Sequence, residues 1–201
     1  MPNITTNTVK MEGIFRLPLF DDKGNFDFNR IIPMPPSLDI ECGSVTDHAI
    51  VCYLTEKGTV PVDDLDYKKV GLLVKLLKSY FKNSLDMAKE ISTDINKISS
   101  TGKKNDLYEK GKIYVDNYLN YGATTWYDWC CQNWGTKWNA GNTEAFGNDA
   151  VTFETAWCSP EPVIKKLSEM YPDKRIDVTA YDEDPNCPPE NYSYLAGNKI
   201  S

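Results

Sequence analysis

Residues 151–182, VTFETAWCSPEPVIKKLSEMYPDKRIDVTAYD, read as strand, helix and strand in succession. Val151, Phe153, Thr155 and Trp157 alternate with polar positions, the period of a half-buried strand. In SPEPVIKKLSEMYP the spacing changes to that of a helix, with Ser159 as cap, Pro160 in the first turn and Pro172 just beyond the end. KRIDVTAYD returns to alternation, and ENYSYLA, after the turn-rich DEDPNCPP, adds a further strand.

NTVKMEGIF near the N-terminus predicts another strand, and FDDKGNF a hairpin turn after it. RIIPMPPSLD carries three prolines in four positions, which excludes both a helix and a central strand. Strands at both ends of the chain with helices between them predict an α+β protein, an antiparallel sheet covered by helices.

The middle of the chain is helical in pattern. GSVTDHAIVCYLTEKG predicts a short helix capped by Ser44 or Thr46 and closed by Gly58. Leu65, Leu72, Leu73, Leu76, Leu77, Tyr80 and Phe81 mark a strongly amphipathic helix. Ser84 caps the next, whose Ala88, Ile91, Ile95 and Ile98 form one narrow apolar stripe. This pattern predicts that the first of the pair is buried and the second lies outermost, with Lys89 and Lys97 on its outer face as partner contacts. A third helix begins near Leu107, after STGKKND breaks the pattern. The whole of 1–201 is read as one domain with a helical insertion over 63–104.

Composition bounds the function. Twenty-nine acids against twenty-two bases give a net charge of -7, a field that repels nucleic-acid phosphates. No run of eighteen apolar residues and no basic-then-apolar leader occurs, so a cytoplasmic protein is expected, away from membranes. The six cysteines are then expected as thiols. With one histidine, His48, and no phosphate loop, nucleophile elbow or zinc-spaced Cys/His pair, the sequence offers no catalytic set, cofactor site or metal site.

WYDWCCQNWGTKWN, residues 126–139, holds four of the five tryptophans. Trp126, Trp129 and the later Trp157 are read as core. Trp134 and Trp138, flanking Gly135 and Lys137, are read as rim residues with an indole N–H free to meet a partner. Adjacent Cys130 and Cys131 lack the spacing of a redox dithiol and are read as buried filler.

The strings FNRIIPMPPSLDIECGSVTD, YGATTWYDWCCQNWGTKWNA and FETAWCSPEPVIKKLSEMYPD, with the N-terminal MPN, resemble the Api92-like proteins with a YubB-type ferredoxin-like domain. That family is spread through phages, plasmids and their bacterial hosts. The resemblance implies a ferredoxin-like sheet and a mobile-element setting, and brings no catalytic residue with it; the stretch from Asp63 to about Lys104 is an elaboration without a counterpart in it. Two functions are expected from these readings. The first is a non-catalytic binding module that engages a host or defence protein in the host cytoplasm. The alternative is a single-stranded nucleic-acid binder, stacking bases on Tyr181, Tyr192 and Tyr194, with Lys165, Lys166, Lys174 and Arg175 as a basic rim.

Overall fold

The computed structural model describes residues 3–77 and 83–201. In chain order the regular elements are β1 (Ile4–Lys10), α1 (Ser44–Leu54), α2 (Tyr67–Leu76), α3 (Ser84–Lys97), α4 (Thr101–Tyr121), α5 (Trp126–Asn133), β2 (Gly141–Ala145), β3 (Ala150–Ala156), α6 (Glu161–Met170), β4 (Ile176–Asp182), β5 (Glu190–Leu195) and β6 (Asn198–Lys199). The protein is α+β. It divides into two compact units, residues 1–34 with 127–201, and residues 35–126.

The first unit is a six-stranded antiparallel sheet in the order β2-β3-β1-β4-β5-β6. Because β3 and β4 both run antiparallel to β1, which lies between them, β3-α6-β4 is a split β-α-β unit of the ferredoxin-like type. Alternation divides the sheet into two faces. One carries Val9, Val151, Phe153, Ile176, Val178, Tyr192 and Tyr194, all buried, with α6 contributing Val163, Ile164 and Leu167. The other is polar, with Thr6, Thr8, Lys10, Thr152, Glu154, Asp177 and Thr179 in register. Such a sheet needs only one apolar face. Asn7 is buried in the central strand, and its amide donates to the Thr155 hydroxyl at 2.8 Å and to the Thr5 carbonyl at 3.1 Å.

Two expectations fail here for local reasons. The hairpin in 20–26 is reduced to one bridge, Phe20 to Phe26, because Asp21 turns the chain back on itself by accepting from the backbone of Lys23 and Asn25. Ser159 does not cap α6; its hydroxyl pairs with that of Tyr192 at 2.6 Å, and Pro160 takes the N-cap position.

The second unit is helical. All of α1 from Ala49 to Leu54 except Tyr53 is buried, as expected of a helix at the centre of a bundle. α4 packs closely against it at Gly111, where an added Cβ would collide with the Ala49 carbonyl oxygen. The Tyr114 hydroxyl donates to the Glu41 carbonyl at 2.7 Å, and Asn117 ties the proline-bearing 3-10 turn Pro36–Leu38 to α4 through the Ser37 hydroxyl and carbonyl. The compact unit therefore takes in α1, α4 and the proline loop, a wider span than the insertion expected over 63–104.

Its helices also depart from the pattern reading. α4 begins at Thr101, not near Leu107, because Ser100 caps it by accepting from Lys103, so STGKKND is a helix start. Asn83, not Ser84, caps α3. The stripe Ala88, Ile91 and Ile95 on α3 is buried in the unit's own core, whereas α2 leaves Tyr67 and Val74 exposed. The expected order, α2 inside and α3 outermost, is thus not what the apolar residues adopt: α2 is only ten residues long, and its buried side chains are Leu73 and Leu76. Tyr80 and Phe81, expected on the same apolar face, lie outside the described residues.

Candidate functional site

α5 and the turn after it set up the most distinctive surface of the sheet unit. Trp129 and Cys130 point inward, and the chain leaves the helix through Trp134, Gly135 and Thr136. Trp134 is 3% exposed, edge-on to both Phe28 and Trp129, and its indole N–H donates to the Ile32 carbonyl at 2.9 Å. It is a core residue with a satisfied donor, which corrects its reading as a rim contact. Gly135 takes φ +76°, and a Cβ there would press on Pro162. The Thr136 hydroxyl donates to the Ala156 carbonyl at 2.9 Å and accepts from the Ala156 N–H at 3.1 Å, which fastens the turn to the end of β3.

That fastening brings Lys137 and Trp138 to Trp157. Trp157 was expected to continue the inward face of β3, but the strand ends at Ala156 and Trp157 has φ +70°. The Cys158 N–H donates to the Ala156 carbonyl at 2.9 Å, so Trp157 is the central residue of a γ-turn with positive φ, a rare and strained conformation. For a bulky residue this backbone is a true outlier, of the kind that costs about 1–3 kcal/mol and collects at functional positions. The turn throws the indole out of the core, and it is 40% exposed.

Three aromatic rings then surround one ammonium. Lys137 Nζ lies 5.2 Å from the Trp138 ring centroid, 5.7 Å from that of Tyr127 and 5.9 Å from that of Trp157. Tyr127 and Trp157 meet nearly at right angles, 84° between planes at 6.3 Å. Each distance is within the range of a cation–π attraction, and tryptophan gives the strongest. Tyr127, Lys137 and Trp138 are half-buried. Of the candidate contacts read from sequence, Lys137 and Trp138 come together here; Tyr127 and Trp157, which complete the cluster, were missed as contacts.

The remaining candidates lie elsewhere. Tyr192 and Tyr194 are 2% and 6% exposed on the face under α6, with hydroxyls bound to Ser159 and to Glu161 at 2.6 and 2.7 Å. They offer no stacking surface, which corrects that part of the nucleic-acid expectation. Tyr181, on the polar face, is half-exposed. Lys174 donates to the Glu12 carbonyl, Lys166 pairs with Glu169, and Arg175 with Asp177. In the helical unit, Lys89 pairs with Asp63 at 2.7 Å and Lys97 with Asp94 at 2.8 Å, both on exposed surface.

The helical unit has its own groove of about 660 Å³, lined by Tyr53, Lys57, Lys69, Leu72, Tyr108 and Leu119 among others. Its rim includes Glu56 and Lys57, which with Gly58 are three consecutive residues at φ 52°, 65° and 81°. Lys57 lies over the Tyr108 ring at 5.0 Å, and Lys69 pairs with Glu56 at 2.9 Å.

The chemistry of the nucleophiles is muted. Burial raises the Cys130 thiol to about 12 and pushes the Cys52, Cys131 and Cys158 thiols up as well, so none is held as thiolate at neutral pH. All six cysteines are unpaired. His48 sits on α1 with Nδ1 3.0 Å from the Ser44 carbonyl, a contact within its own helix. No group of three or more His, Cys, Asp or Glu suited to a metal ion occurs among the described residues. No helix among the described residues is long and apolar enough to cross a membrane.

Among curated proteins none matches this sequence. A crystal structure of a protein api92 from Yersinia pseudotuberculosis aligns over 100% of this chain and 96% of that one, at 11% identity and a TM-score of 0.40. Residues 133–189, which run from the turn of Trp134 through β2, β3, α6 and β4, match the family described as the ferredoxin-like domain in Api92-like protein.

Proposed function

We propose that the chain is a non-catalytic binding module, an accessory protein of a phage or mobile element that engages a host or defence protein in the host cytoplasm. The observation that carries this reading is the partly exposed cluster of Tyr127, Trp138 and Trp157, with Trp157 held out of the core by a strained γ-turn. Tryptophan and tyrosine dominate binding hot spots, because they bury a large area for little lost freedom. A protein that spends strain to expose an indole has a use for it on the surface. The mobile-element setting comes from the family resemblance, and the thiols held protonated weigh toward binding over nucleophilic chemistry.

Affinity capture from bacterial lysate tests the reading with three forms of the protein: the natural chain, Trp138→Ala with Trp157→Ala, and Lys89→Glu with Lys97→Glu. The expected result is one protein retained in near-equal amount by the first and third and lost by the second, with melting temperatures unchanged within a few degrees. Loss only in the third would move the contact to α3, and retention by all three would end the proposal. Nuclease treatment and a salt series keep the alternative in view, since binding to single strands would fall steeply with salt. The burial of Tyr192 and Tyr194 weighs against that alternative.

A further inference from the structure

We infer that Tyr127, Trp138 and Trp157 form a receptor for an alkylammonium group, and that Lys137 occupies it from within in the free protein. The inference deepens the binding reading above and rests on it for the source of the cation, a lysine side chain on the partner protein; the receptor itself rests on geometry alone.

Three rings at 5.2, 5.7 and 5.9 Å from a single nitrogen are more than one fortuitous contact. An aromatic enclosure of this kind recognises ammonium and methylated ammonium groups, since the ring faces are negative and the walls apolar. The walls come from three separate places in the chain: the first turns of α5, the loop before β2, and the γ-turn after β3. Two of them are held by contacts other than Lys137, Trp157 by its backbone N–H on the Asn3 carbonyl at 2.8 Å and the loop by the double Thr136 bond to Ala156. A cage whose walls are fixed by other contacts keeps its shape when its occupant leaves.

Lys137 is a replaceable occupant. Its carbon stem is flexible and reaches the rings from the adjacent loop position, so it competes with any incoming cation at high local concentration. Release of the lysine into water is the cost of admitting a ligand, and it makes the free protein a closed form of the receptor.

The test uses tryptophan fluorescence and indole N–H shifts of the full chain, titrated with tetramethylammonium chloride against sodium chloride at equal ionic strength. Two peptides, each with a single lysine either unmodified or trimethylated, form the second arm. Lys137→Ala is expected to bind tetramethylammonium at millimolar concentration, at least fivefold tighter than the natural chain. Trp157→Leu in the Lys137→Ala background is expected to abolish binding. Tighter binding of a peptide than of the free ion assigns the cation to a protein side chain, and the reverse assigns it to a small amine; either supports the receptor. Binding by Lys137→Ala that is absent, or equal to that of the Trp157→Leu double variant, with both variants showing unchanged circular dichroism, overturns it. If capture of a partner still depends on Trp157 in that case, the binding reading survives and only the cation receptor falls.

Discussion

Replacing Gly111 by alanine sets two effects of opposite sign against each other. In an exposed helix the change gains about 1 kcal/mol, because alanine has less backbone freedom to lose and buries no polar group. At Gly111 the new methyl would run into the Ala49 carbonyl, with the carbonyl carbon at 2.6 Å and the Tyr53 Cβ at 2.8 Å. Ordinary contact needs roughly 3.5 Å, so α1 and α4 must part by about 1 Å. That separation loosens the buried layer of Ala49, Ile50, Tyr114 and Val115. Overpacking of this kind costs about 1–3 kcal/mol and more where backbone must move. The net expectation is a loss of about 2 kcal/mol, or roughly 4–8 °C in melting temperature for a chain of this length. Two glycines serve as internal references: Gly71 in α2 has nothing within 4 Å of its would-be Cβ, and Gly102 in α4 has only the Ser100 hydroxyl at 3.8 Å. Their alanine variants should gain about 0.5–1 kcal/mol. Urea unfolding of the full chain, followed by helical ellipticity, measures all three. If Gly111→Ala stabilises like the other two, the close approach of α1 and α4 is wrong.

Trp157→Gly removes the strain of the γ-turn and an indole already 40% exposed, so its unfolding free energy should change by no more than about 1 kcal/mol, while partner capture is lost. Tyr114→Phe removes the hydrogen bond to the Glu41 carbonyl and should cost about 1 kcal/mol by urea unfolding. On the alkaline side, burial raises Tyr192 well above its usual range and Tyr194 to about 12. Their folded values exceed the unfolded value of 10.0, so their contribution is complete below that value and is lost as pH climbs through the folded ones; absorbance at 295 nm should show two tyrosines that ionise only as the sheet unfolds. Glu161 is shifted the other way, its carboxylate stabilised first by Lys199 and then by Tyr194. Its contribution is present above the ordinary value of 4.5 and is lost as pH falls through the lower folded one, so Glu161→Gln should reduce the loss of stability as pH falls below 4.5.

The sheet unit was legible where one physical signal dominated. Alternation gave β3, β4 and β5, and the proline-flanked run gave α6, because those residues bury on one face only. β2 left almost no trace, since its GNTEA is an exposed edge strand with no apolar side to alternate. In the helical unit, apolar spacing located α1, α2 and α3, but not the start of α4, whose first turn is polar and held by the Ser100 cap. The two tryptophan readings exchanged places for a reason that no local pattern carries. Trp157 sits at the end of a regular alternation, and only the γ-turn, at a position without glycine, takes it out. Trp134 sits in a glycine-bearing turn that looks exposed, and only Ile32 and Phe28, a hundred residues away, bury it. Half of the aromatic cluster was visible as a lysine beside a tryptophan; the other half needed β3 and α5 to meet.

Hydroxyl-radical footprinting of the natural chain, free and in complex with the protein it captures, decides whether the aromatic cluster is the contact surface. The aromatic-cluster account predicts that Trp138, Trp157 and Tyr127 lose labelling on complex formation while Tyr67 and Leu119 of the helical unit keep theirs. Unchanged labelling of Trp157 with protection of the helical unit's groove or of α3 would contradict it.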